Sequence, residues 1–141
     1  ESAAGLLNAP ATPAYTVWKT NVSITKIGDK INGAELAGLS SLNSTRLQTV
    51  VVLSASGTNP SLADRRAFFD DIFSGAGGVV TRASLLVLWK RTATVGEKLF
   101  ATGTGTDVAP ATLGSRANGD STIYAEGPVT ATNVSEARNL P

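Results

Sequence analysis

Ser61-Leu62-Ala63-Asp64-Arg65-Arg66-Ala67-Phe68-Phe69-Asp70-Asp71-Ile72-Phe73, followed after a glycine-rich break by Thr81-Arg82-Ala83-Ser84-Leu85-Leu86-Val87-Leu88-Trp89-Lys90-Arg91, decides the fold class. In the first stretch Leu62, Phe69, Ile72 and Phe73 recur near one face at helical spacing, with Phe68 beside it. Ser61 suits an N-cap, and Asp64 places a carboxylate in the positive first turn. Arg66 and Asp70 stand four apart and can pair on the solvent side. Such a pair contributes only about 0.2–0.5 kcal/mol, so the apolar face must hold the helix in place. Gly75, Gly77 and Gly78 end it. In the second stretch Thr81 suits a cap, and Leu85 to Trp89 is apolar all round, which predicts the central helix of the core. Lys90 and Arg91 complement its C-terminal dipole.

Working outward, residues 34–39 read as a short helix after the Asn32-Gly33 turn. Asn43 suits the cap of a helix carrying Leu47, Val50, Val51 and Leu53, although the run from Val50 to Leu53 leaves a buried strand open. Residues 93–101, with Val95, Leu99 and Phe100, and 130–138, capped by Thr130 and carrying Val134 and Ala137, read as two more helices. Residues 14–31 favour helix through Tyr15, Trp18, Val22, Ile24, Ile27 and Ile31, with a strand as the alternative. Pro10 and Pro13 oppose helix, so residues 1–13 read as an extended N-terminal arm. Residues 102–128 show little helical periodicity. Asn118-Gly119 within them is a hairpin-turn signal, flanked by Leu113, Ile123 and Tyr124, and predicts a β-hairpin excursion near 113–125. The expected architecture is therefore mainly α. An arm over 1–13 precedes a single helical domain over 14–141, a small bundle of roughly five or six short helices with a loop or hairpin at 102–128.

A chain of 141 residues is the usual size of one domain. Hydrophobic residues make up 42% and charged residues 16%, which allows a real core under a surface rich in neutral hydroxyls. That surface suits a virion or an extracellular assembly. Twelve basic and eleven acidic residues leave a net charge of +1, and the largest basic clusters are the pairs Arg65-Arg66 and Lys90-Arg91. Nucleic-acid binders gain affinity from clustered basic excess, so nucleic acid is a poor fit as a partner. No apolar run approaches the roughly 18 residues that would span a bilayer. The chain lacks Met altogether, which reads as a processed or trimmed product.

The chain contains no Cys and no His. Disulfides, thiolate chemistry, ordinary zinc sites and the commonest general base are therefore not available. No metal and no cofactor is expected. Asp70 and Asp71 are adjacent, but neighbours on a helix point about 100° apart and do not share a proton as a catalytic dyad does. Serine or threonine nucleophiles would need a lysine base, and no SxxK spacing occurs; Lys90 after an apolar run reads as a snorkelling side chain. Gly103-Thr104-Gly105 lacks the third glycine of a dinucleotide loop and the Gly-Lys of a P-loop. Gly75 to Gly78 has the GxxG spacing of an RNA clamp, yet glycines commonly end helices.

Lys90-Arg91-Thr92-Ala93-Thr94-Val95-Gly96-Glu97-Lys98-Leu99-Phe100-Ala101-Thr102-Gly103-Thr104-Gly105-Thr106, followed by Pro110-Ala111-Thr112-Leu113, resembles small bacterial and prophage proteins carrying a KR-x-AT-x-x-E-x-LFATGTGT segment. The resemblance covers about residues 60–113 and reaches 126–140. It supplies no activity and no site residues, and implies a role in a phage particle by association. In that group the tail follows Leu113 closely, so the residues around Asn118-Gly119 look like an insertion.

Together these features point to a non-enzymatic structural or assembly subunit, associating with itself and with other particle proteins through the N-terminal arm and the 114–125 excursion. Tyr15, Trp18, Asn118, Gly119, Ile123 and Tyr124 are the interface candidates, because aromatics supply much contact area at small entropic cost. Trp89, inside an apolar run, reads as core. The alternatives are a secreted or surface module binding a glycan or protein, and a single-strand nucleic-acid binder using the GxxG loop with Arg65, Arg66 and Arg82.

Overall fold

Local capping chemistry cuts this chain into short helices. A computed structural model describes residues 2–114 and 128–138. In chain order the elements are α1 (Ala3–Asn8), β1 (Thr16–Trp18), α2 (Ile24–Gly28), α3 (Gly33–Ala37), α4 (Ser41–Leu53), α5 (Ala63–Ile72), a 3-10 turn (Ala76–Gly78), α6 (Val79–Trp89), β2 (Lys90–Thr92), α7 (Val95–Phe100) and α8 (Ala131–Arg138). The fold is mainly α. The eight helices among the described residues outnumber the five or six expected. The hydroxyls of Ser2, Ser23, Ser40 and Thr94 and the amide oxygen of Asn32 each accept a backbone N–H at a helix start.

The chain forms two compact units. Of the described residues, one contains those of 1–18 and 90–138; the other contains residues 19–89. The single helical domain expected over 14–141 is thus divided, and the N-terminal segment belongs to the first unit. In that unit β1 and β2 pair antiparallel, with Thr16 opposite Thr92, Val17 opposite Arg91 and Trp18 opposite Lys90. Val17, Ala93 and Ala111 are buried together, with Tyr15, Ala101 and Leu113 packed against them.

Residues 1–13 are not an extended arm. Residues 3–8 are helical, Pro10 bridges Thr94, and Ala11 is buried with its N–H donated to the Ala93 carbonyl at 2.9 Å. The two prolines follow the helix instead of interrupting it, so they terminate α1 without preventing it. Asn8 then ties the segment down: its amide donates to the Val129 carbonyl at 2.8 Å and accepts the Val129 N–H at 2.7 Å.

In the second unit Ile27, Leu47, Val50, Phe69, Ile72, Phe73, Leu85 and Trp89 are buried. The Phe69 and Trp89 rings meet edge-on at 5.6 Å, which brings the apolar sides of α5 and α6 into contact. Gly78 allows the break between α5 and α6 to close, since a Cβ there would collide with the Phe73 carbonyl.

Several boundaries differ from expectation. Residues 14–31 hold β1 and α2 instead of one helix, because the Val17 backbone joins a ladder with residues far along the chain. Residues 41–53 are helix and not strand. Ser61 does not cap α5: its hydroxyl is turned onto the Asn59 side chain at 2.6 Å, and the helix starts from Leu62 without a side-chain cap. Lys90 and Arg91 lie in β2 beyond the end of α6. The hairpin expected near 113–125 falls almost wholly outside the described residues.

Candidate functional site

The segment from Lys90 to Leu113 is a structural core of the first unit. Thr94 and Glu97 form a reciprocal capping box at the start of α7. Arg91 completes it by donating two hydrogen bonds to the Glu97 carboxylate, at 2.7 and 2.6 Å. Behind it the Gly/Thr loop packs on Tyr15. Gly105 has φ +66°, and a Cβ there would lie 2.1 Å from the Tyr15 ring. The Tyr15 hydroxyl donates to the Gly103 carbonyl at 2.8 Å, and the Lys98 ammonium sits 5.5 Å from the ring centre. Lys90, whose side chain is largely covered, reaches the exposed Asp107 at 2.7 Å. The motif residues therefore build local structure: Gly105 lets the backbone approach the Tyr15 ring, and Gly103 lets it approach Ala111.

Trp18, one of the proposed interface residues, is buried with 9% exposure and offers no surface. Tyr15 is half-buried and committed to the loop by the contacts above. Asn118, Gly119, Ile123 and Tyr124 lie outside the described residues.

In the second unit Glu35 of α3 caps the start of α6, accepting the Val80 N–H at 2.9 Å and the Thr81 N–H at 2.8 Å. Burial alone would raise the Glu35 carboxyl. The Thr81 hydroxyl, the two N–H donors and the Arg82 charge outweigh it and hold the group below its ordinary value. The Thr81 hydroxyl also accepts the Asn32 N–H at 3.0 Å, which fixes α3 against α6. The helix thus begins two residues before the cap expected at Thr81, and its cap comes from a distant element.

The Gly75 to Gly78 loop is a helix stop. The Arg82 guanidinium donates to the carbonyls of Phe73 and Gly75, closing the turn that follows α5.

α6 departs furthest from expectation. It is apolar all round in sequence but buries only Thr81, Leu85 and Trp89 deeply. Val79 is 50%, Val80 53%, Leu86 44% and Val87 70% exposed. Beside this face lies a cleft of about 560 Å³, walled by Val79, Ala83 and Leu86 of α6 and by Arg66 and Asp70 of α5, with Arg82 at its rim. Trp89 also lines it, and its buried indole N–H has no hydrogen-bond partner among the described residues. Arg66 is anchored to the carbonyls of Pro60 and Ser61 at 2.6 and 3.1 Å. Burial raises the Asp70 carboxyl, Asp71 adds to the rise, and Arg82 and Arg66 oppose it.

Among the described residues no three carboxylates gather to hold a metal ion, and no single helix is long and apolar enough to cross a membrane. No family description, curated protein or solved structure matches the chain.

Proposed function

We propose that this chain is a non-enzymatic structural subunit that assembles by associating with copies of itself. The supporting observation is the open apolar face of α6, where four large aliphatic side chains stay about half exposed or more on a helix of three turns. Contiguous exposed apolar surface of this kind marks interaction sites in soluble proteins. The face replaces the N-terminal arm as the contact surface, because the arm is folded into the first unit. A net charge of +1 keeps mutual repulsion between copies small. A phage-like particle is the assembly that the resemblance over 60–113 implies.

Size-exclusion chromatography with light scattering tests this reading. Association that strengthens with loading concentration supports it. A monomer at every concentration refutes it.

A further inference from the structure

We infer, on the self-association reading above, that the outer face of α6 is a twofold interface, in which a second copy of this chain seats Val80 and Val87 in the cleft beside α6. Val80, Ala83 and Val87 stand three and four residues apart, the spacing that lines one seam of paired helices. Ala83 at the middle of the seam is small and exposed, so two helix backbones can approach closely there. Val79 and Leu86 flank the seam and form the near wall of the cleft. A ridge and a groove therefore lie side by side on one helix. A twofold contact requires this arrangement, because the same patch must serve as both donor and recipient.

The charges agree. The far wall of the cleft carries Asp70, which makes no ion pair among the described residues, together with Arg66, and Arg82 stands at the rim. A mixed-sign rim is self-complementary: a twofold turn carries the carboxylate of one copy toward the guanidinium groups of the other. The helix has 11 residues, about 16 Å of length at 1.5 Å per residue. One such face falls short of the about 800 Å² per partner of a standard interface, so the dimer is a reversible one.

Because the chain has no Cys, a single introduced thiol reports on one place only. Ala83→Cys lies near the proposed axis, where the two Cβ atoms come within the roughly 4 Å that a disulfide requires. Leu53→Cys, on the exposed end of α4 (78% exposed), is the control. Under mild oxidation Ala83→Cys is expected to form a covalent dimer at concentrations where Leu53→Cys stays monomeric. Val87→Glu, at a position that is 70% exposed and so leaves the fold intact, is expected to raise the dimer dissociation constant at least tenfold.

Wild-type dimers in solution with no preferential cross-linking through Ala83→Cys would overturn the interface and leave self-association standing. A wild type that is monomeric throughout removes both. Oligonucleotide binding that depends on Arg66 would assign the cleft to another partner and equally overturn the interface.

Discussion

Replacing Glu97 by alanine removes the centre of the first unit's polar framework in one step. Its carboxylate accepts two hydrogen bonds from Arg91, at 2.7 and 2.6 Å, and a third from the Thr94 N–H at 2.9 Å. The Glu97 side chain is 8% exposed and that of Arg91 23%, so solvent screens the pair weakly. Loss of one partner from a buried pair costs about 3–5 kcal/mol, and loss of a helix cap about 1 kcal/mol. Arg91 is near enough to the surface to regain some hydration, which lowers the total to about 3 kcal/mol. Glu97→Gln keeps a neutral acceptor for the cap and should cost roughly half as much. Urea unfolding of Glu97→Ala, Arg91→Ala and the double variant gives the coupling, expected near 2 kcal/mol. Additivity within about 0.5 kcal/mol would refute the claim that these side chains act as one unit.

Gly105→Ala should cost at least about 2 kcal/mol in the same assay, because the new Cβ takes a left-handed conformation and meets the Tyr15 ring. Gly77→Ala, where a Cβ meets nothing within 4 Å, should change stability by less than about 0.5 kcal/mol. Equal effects would contradict the role given to the Gly/Thr loop. The Glu35 carboxyl is held below its unfolded value of 4.5, so its contribution is fully present above that pH and is lost as pH falls through the lowered folded value. Stability curves from pH 7 to pH 3 should therefore be flatter for Glu35→Gln than for the wild type; parallel curves would remove Glu35 from the capping of α6.

Much of the helical character can be read directly from the chain, because it rests on local chemistry. The apolar spacing of Phe69, Ile72 and Phe73, the Thr94–Glu97 box and the Thr130 hydroxyl, which accepts the Asn133 N–H at 3.2 Å, all act within four residues. Features that depend on distant partners were not legible. The pairing of β1 with β2 joins residues about seventy positions apart, and three-residue strands carry no periodicity to detect. Glu35 caps a helix that begins 44 positions later, at Val79, so Thr81 looked like the cap. The folding-back of the N-terminal segment is tied by Asn8, at the end of α1, meeting Val129, a residue 121 positions on.

The candidate site was hidden for a different reason. A helix that is apolar all round predicts burial all round, and sequence gives no sign of which side lacks a neighbour. Trp18 misled in the opposite direction, since an aromatic beside a polar N-terminus looks available for binding, yet it is buried.

Sedimentation equilibrium on the intact chain, from about 1 to about 500 µM, detects a reversible dimer with a dissociation constant anywhere in that range. The average mass should climb from the protomer's 14.4 kDa toward twice that value, and Val87→Glu should hold it near the protomer mass across the same range. A wild-type mass fixed at 14.4 kDa at every concentration would contradict the account.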